Sequence, residues 1–354
     1  MDKKQEILKA LSQVQDPDLK RDIVSLGFVK KLEVSGDKVS FDVELTTPAC
    51  PVKDQLREAC IAVVNALGYR DIQVNMTAQV RAMQSGPTPI PGVKNVIGFA
   101  SGKGGVGKST LALNCALALA QSGARVGLLD ADFYGPSLPA LINVSDRPAI
   151  DEHKRIIPIE KFGLKTLSMG YLVDRTAPVA FRGPMTHKII QQFLFQTAWG
   201  PLDYLIVDLP PGTGDIQLSL TQQTPMVGVV LITTPQKAAW IDARKGFEMF
   251  KEAKITTLGL IENMSGYMCR NCSKIHHIFS QGGGEQLAQN LSVPFLGAVP
   301  LHPDLPSGIG QGQPLMTREE PKAMLDLFRQ LASQVAARAS TLQWAQSSSG
   351  AMEV

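Results

Sequence analysis

Charge of one sign is what this sequence has least of. Its 35 basic side chains nearly cancel against 32 acidic ones, leaving a formal +3, far too little for the electrostatic attraction on which nucleic-acid binding depends. Cysteine is scarce as well. Cys50, Cys60, Cys115, Cys269 and Cys272 make an odd set of five in 354 residues, unlike the dense, even sets of secreted disulfide scaffolds, so a reducing, cytoplasmic compartment is expected. Apolar runs are short. None approaches the ~20 residues needed to cross a bilayer, and the segment from Met1 to Glu6 leads into an amphipathic pattern, so no secretory leader is expected. Neither nucleic acid nor membrane is therefore expected as a partner. Aromatics are few, yet 44% hydrophobic against 19% charged residues suffices to bury sizeable cores, which excludes a mainly disordered chain.

What is present falls into two or three units at ~150 residues each. The first eighty residues alternate a helical pattern (Ile7, Leu8, Leu11, Val14), a strand pattern (Val39, Phe41, Val43, Leu45) and a second helical pattern (Leu56 to Leu67), and predict a small α+β domain over 1–82. Ser85, Gly86, Pro87, Pro89, Pro91 and Gly92 then predict a linker over 83–95. From Val96 onward, apolar runs recur at Val96–Ala100, Val126–Leu129, Leu205–Val207, Val227–Ile232, Leu258–Ile261 and Phe295–Val299. Runs apolar on both faces suit parallel strands covered by helices, so an α/β domain with a mostly parallel sheet is expected over 96–340. Met324, Leu327, Phe328, Leu331 and Val335 predict a helix docking on it, with a flexible tail over 341–354.

Directly after the run at Val96 stands Gly102-Lys103-Gly104-Gly105-Val106-Gly107-Lys108-Ser109-Thr110. The pattern is that of a phosphate-binding loop: glycines let successive amides point inward at phosphate oxygens, and the helix that follows adds its positive end. Lys108 is expected on the β and γ phosphates of ATP, and the Ser109 hydroxyl on Mg²⁺. Two apolar runs end in carboxylates, Asp130-Ala131-Asp132 and Asp208, at the strand ends where α/β folds bind ligands. Asp208 suits the holding of Mg²⁺ through a water, Asp132 the orienting of the attacking water, and Asp130 the support of the metal shell. Strand-end aspartates also simply cap loops. Pro210-Pro211-Gly212-Thr213-Gly214-Asp215 suits a loop that senses the γ-phosphate through a backbone amide.

Cys269-Arg270-Asn271-Cys272 is predicted on a loop after the strand at Leu258. Two thiolates three positions apart can share one metal centre but do not complete a four-coordinate site. A dithiol redox couple and a zinc site completed by His276 and His277 remain alternatives. Cys50 precedes Pro51, a residue favoured in the first helical turn, so a helix N-terminus that lowers its thiol pKa and suits it for reactivity or cluster handling is one expectation, and a cysteine held for packing is the alternative. Cys60 and Cys115, amid apolar helical residues, are expected in cores.

Together with Lys103 inside the loop, the segments Asp130 to Ser137, Asp208 to Asp215 and Glu262-Asn263-Met264-Ser265 resemble the Mrp/ApbC/Nbp35 group of P-loop iron–sulfur carrier ATPases, over about 94–335. Asp16-Pro17-Asp18-Leu19, Leu26-Gly27 and Thr46 to Pro51 are similar to the MIP18 domain that precedes the ATPase in bacterial Mrp proteins. The resemblance implies a P-loop NTPase fold of the deviant Walker A type and a homodimer. It implies that Lys103 reaches the partner's nucleotide and that Asn263 contacts adenine. It further implies that Cys269 and Cys272 of two chains share a [4Fe–4S] cluster destined for apo iron–sulfur proteins. The group commonly has proline where this chain has Arg270. A positioning ATPase of the MinD or ParA type, sharing the deviant loop, is the alternative; the C-terminal Ala345 to Val354 lacks the basic amphipathic character that MinD-like membrane helices use.

Overall fold

A computed structural model describes residues 3–82, 88–133, 135–172, 183–272, 274–303, 305, 311–319 and 321–349. The chain forms two compact units, one of Met1–Arg81 with Ala336–Val354 and one of Ala82–Val335.

The first unit contains α1 (Lys3–Leu11), the short paired strands β1 (Gln15–Asp16) and β2 (Arg21–Asp22), and the hairpin β3 (Val29–Ser35) and β4 (Lys38–Leu45), followed by α2 (Lys53–Asn65) and β5 (Asp71–Ala78). β3 pairs antiparallel with β4, and β5 joins β4 in parallel, with α2 as the crossover that a parallel pair requires. The alternating Val39, Phe41, Val43 and Leu45 face inward and pack with Ile7, Leu11, Leu56 and Cys60 in one core. Trp344 packs against that core beneath the guanidinium groups of Arg21 and Arg81, 5.1 and 5.6 Å from its ring centroid.

The second unit is built on a nine-stranded sheet. Its strands are β6 (Val96–Ser101), β7 (Val126–Asp130), β8 (Ile159–Lys161), β9 (Leu164–Ser168), β10 (Tyr204–Asp208), β11 (Met226–Thr233), β12 (Thr257–Met268), β13 (Ile275–His276) and β14 (Phe295–Leu301). The order β12-β11-β6-β10-β7-β9-β8 is parallel except at the β8 edge, and β14 lies parallel to β12. β6, β7, β10 and β11 are buried along their whole length, as expected for strands with helices on both faces. The helices are α3 (Lys108–Gln121), α4 (Leu138–Leu141), α5 (Gly183–Phe195), α6 (Asp215–Gln223), α7 (Lys237–Glu252), α8 (Gly283–Leu291) and α9 (Lys322–Ser349), whose residues from Ala336 belong to the first unit. Among the described residues no helix is long and apolar enough to cross a membrane.

Three sequence expectations meet a different structure. Of the predicted linker, 83–87 lie outside the described residues, while Ile90 is buried, Val93 bridges Leu202 and the Asn95 side chain donates to the Asp203 carbonyl. The stretch Met264–Met268, expected as loop beyond the run Leu258–Ile261, continues β12 because β13 and β14 pair with it at Tyr267. α9 runs to Ser349, past the boundary drawn at 341; 350–354 lie outside the described residues.

Candidate functional site

The carboxyl ends of β6, β7 and β10 converge at one edge of the sheet. In the parallel register Asp208 lies opposite Phe99 on one side and Asp130 on the other, so the two strand-end carboxylates are direct neighbours. The loop between β6 and α3 curls over them. Gly107 caps α3 with φ +81°, left-handed backbone that disfavours any residue with a Cβ. A Cβ on Gly102 would lie 2.1 Å from the Asp242 carbonyl oxygen, so the backbone of α7 closes directly onto the loop.

Lys108 is buried and ion-paired with Asp208, itself buried. Burial pushes the Asp208 carboxyl up, while Lys108 and the Ser109 hydroxyl pull it down. The structure thus brings Lys108, Ser109 and Asp208 together. Lys103, Gly104 and Gly105 are exposed, Val106 is buried and Thr110 is half-buried. The Lys103 carbonyl accepts the Ser101 hydroxyl at 2.9 Å.

Asp130, expected to support the metal shell, is held by four hydrogen bonds. One carboxylate oxygen accepts the Asp132 amide at 3.1 Å; the other accepts the Ser137 and Leu138 amides, both at 3.1 Å, and the Ser168 hydroxyl at 3.0 Å. Burial, with the Asp208 charge beside it, pushes this carboxyl up to about 7. It organises the turn into α4. Asp132 is half-buried, receives the Gly135 amide at 3.1 Å and lies near enough to Asp208 to raise it. The Gly212 amide, expected to sense phosphate, donates to the Ser101 carbonyl at 2.9 Å. The Asn263 amide, which the resemblance assigns to adenine, donates instead to the Val106 carbonyl at 2.8 Å. Ser101 and Ser168, both buried, escaped the sequence reading: a serine at the end of a strand carries no signal that separates it from any other strand-end serine.

Cys269 and Cys272 occupy the tip of the hairpin formed by β12 and β13, with Tyr267 opposite His276 and Met268 opposite Ile275. The Cys269 amide donates to the Lys274 carbonyl at 3.0 Å and closes the turn. The amides of Cys272 and Asn271, then the Cys272 thiol, donate to the Cys269 sulfur and draw its pKa down. Amides that converge on a sulfur stabilise the thiolate, the form that ligates metal. Cys272 is exposed and Cys269 half-buried. Among the described residues no three His, Cys, Asp or Glu side chains gather to hold a metal, and His277 instead sets Nδ1 3.2 Å from the Ser265 carbonyl. The hairpin tip thus presents two thiols. Cys50, expected to be activated, is half-buried; burial above all, then Asp18 and Asp16, pushes its thiol up to about 11. Cys60 and Cys115 lie in cores.

Residues 92–336 match the family described as NUBPL iron-transfer P-loop NTPase. The chain belongs to this family. Residues 4–76 match a second family, described as iron–sulfur cluster assembly protein. An iron–sulfur cluster carrier protein of Synechocystis is 43% identical over 342 residues, covering 94% of this chain and 97% of the relative. Among solved structures, a nucleotide-binding protein of Archaeoglobus fulgidus in complex with ADP is similar at 33% identity with a TM-score of 0.58, over 66% of this chain and 91% of that one. The cell-division ATPase MinD of Pyrococcus furiosus, at 21% identity and a TM-score of 0.52 over 68% of this chain and 98% of that one, shares the fold. Family membership accords with the mostly parallel P-loop sheet and makes the second unit a nucleotide-binding one.

Proposed function

We propose that this protein is an ATP-hydrolysing carrier that holds a [4Fe–4S] cluster and passes it to apo iron–sulfur proteins in the cytoplasm. The observation that carries the reading is the hairpin tip, where two thiols stand on a solvent-facing turn whose amides favour thiolate at Cys269. The name of the Synechocystis relative, at 43% identity, supports it. Two donors per chain do not satisfy a cluster that takes four thiolates, so two copies sharing it across a twofold axis complete the set. Here the cluster is cargo.

Each chain's residues then divide the nucleotide chemistry. The loop 102–110 cradles the phosphates of ATP, and Lys108 exchanges its pairing with Asp208 for the β and γ phosphates. Ser109 and Asp208 are left to hold Mg²⁺, the latter through a water, and Asp132 orients the attacking water. Lys103, whose side chain is exposed, reaches the partner's nucleotide and stabilises charge in the transition state. The functional division we adopt follows the two units, 1–81 with 336–354 and 82–335, with the family matches at 4–76 and 92–336 in support. A MinD-type positioning role leaves the cysteine hairpin without a purpose.

The test is a reconstituted transfer assay. Protein loaded anaerobically is mixed with an apo-enzyme whose activity returns on cluster insertion. With ATP and Mg²⁺ the wild type restores activity, Cys272→Ala does not, and Lys108→Ala is slower by roughly tenfold or more. Unchanged ATP binding and delivery by Lys108→Ala would refute the nucleotide-driven part.

A further inference from the structure

One strand, β12, both carries the cysteine hairpin and touches the phosphate loop. Asn263, near the middle of β12, donates its side-chain amide to the Val106 carbonyl inside the loop. The contact is tight, because Asn263 Nδ2 lies 2.3 Å from where a Cβ on Gly107 would stand, and Met264 Cε lies 3.9 Å from the same point. Both Asn263 and Val106 are buried, so the amide cannot leave that carbonyl without finding another partner. Six residues further on stands Cys269, at most about 20 Å of extended chain away.

Between them the strand is irregular. Asn263 pairs with Val299 and Tyr267 with Leu301, so four steps along β12 match two along β14, a bulge that bends one strand against its neighbour. Met264 opens the bulge in left-handed backbone, φ +58°. On the sheet side of Asn263, the Glu262 carboxylate accepts the Gly284 amide at the start of α8 and anchors the strand there. On the hairpin side, His277 ties the Ser265 carbonyl inside the bulge to the returning chain. A shift at Asn263 is thus held on one side and free to pass through the bulge on the other.

Resting on the reading of the protein as a nucleotide-driven carrier, we infer that Asn263 is a positioning residue that conveys occupancy of the phosphate loop to the cysteine hairpin, with Met264–Gly266 as hinge and His277 as the tie. Phosphates drawn into the loop reorder its backbone at Val106 and Gly107. Asn263 follows the Val106 carbonyl, and the bulge turns that displacement into a new setting of the turn that carries Cys269 and Cys272. Coupling of this kind requires an element with two arrangements that both sites bias, and the bulge is that element.

The experiment uses full-length, metal-free protein under nitrogen. The alkylation rate of Cys272 by iodoacetamide is followed by peptide mass spectrometry, without nucleotide and with saturating ATP and Mg²⁺. The wild type is expected to change rate by roughly fivefold or more on saturation, the lower end of ordinary coupling. Asn263→Ala, measured at its own saturation, is expected to bring the ratio to within about twofold of one. His277→Ala, which lies on the exposed hairpin, is expected to do the same with ATP affinity unchanged, and it decides the matter should Asn263→Ala bind nucleotide too weakly to saturate. A wild-type ratio of one, wild-type coupling in His277→Ala, or wild-type coupling in an Asn263→Ala that saturates, overturns the inference. The readout contains no iron, so failure here leaves the carrier reading to the transfer assay, and failure there leaves this coupling to its own result.

Discussion

Replacing Asp208 with asparagine tests the physical heart of the nucleotide site. Lys108 and Asp208 are buried to 6% and 4% side-chain exposure and form one ion pair. Removing one partner of a buried pair leaves an uncompensated charge and costs about 3–5 kcal/mol. Asparagine keeps the shape and one acceptor oxygen, so the cost is expected near about 3 kcal/mol. At about 2–4 °C per kcal/mol for a unit of this size, the melting transition of the second unit should fall by roughly 6–12 °C. Two companions isolate the cause. Lys108→Met with Asp208→Asn removes the stranded charge and should lose less than Asp208→Asn alone, an interaction term that a double-mutant cycle reads directly. ADP without Mg²⁺ should restore more stability to Asp208→Asn than to the wild type, because its phosphates give Lys108 a counter-charge without displacing Asp208. Thermal unfolding followed by circular dichroism, with and without ADP, provides all the quantities. A transition within about 2 °C of wild type, or a double variant less stable than the single one, would refute the reasoning.

Further outcomes follow from local geometry. Gly102→Ala sets a Cβ 2.1 Å from a helix carbonyl whereas Gly104→Ala enters open space; the first should destabilise by about 1–3 kcal/mol or more and weaken ADP binding, the second should change stability by no more than about 0.5 kcal/mol, and equal melting temperatures would contradict the packing. Cys50, pushed up to about 11 by burial, should alkylate at pH 8 at least about tenfold more slowly than Cys272, its rate climbing toward pH 11; equal labelling at pH 8 would contradict its burial. Burial alone would raise Asp203, but hydrogen bonds from Arg125 and Lys94 hold its carboxyl well below the usual range. Such a group stabilises fully above the ordinary carboxylate value and ceases to as pH falls through its own, so Asp203→Asn should cost on the order of 1 kcal/mol at pH 7 and less below about pH 3. A urea-denaturation difference that grows on acidification would reverse that sign.

Much of the architecture could be read in advance, for a reason visible in particular strands. β6, β7, β10 and β11 are buried on both faces, and continuous apolar runs can be recognised without knowledge of the partner strand. β9 was invisible because Lys165 interrupts it and β8 because it is a three-residue edge. β12 ends later than its composition suggests, since pairing with Ile275 and His276 makes Tyr267 and Met268 strand. The same limit governs the site. Lys108, Ser109 and Asp208 follow from spacing and from the strand-end rule. The Asp130 network depends on Ser168, 38 positions away, and the Asn263 contact spans 157 positions to Val106; no local pattern encodes either. Cys50 misled because its nearness to a helix start was legible while its burial beside Asp18 and Asp16 was not.

The claim at the centre of the account is a cluster held between two copies of the hairpin. Anaerobic reconstitution, with iron and sulfide assayed and mass measured by sedimentation under nitrogen, addresses it most directly. The account predicts about four irons and four sulfides for every two chains, in a species twice the mass of one chain, and loss of both iron and dimer in Cys269→Ala and Cys272→Ala. Single chains that each keep a full complement of iron, or iron retained without either cysteine, would contradict it.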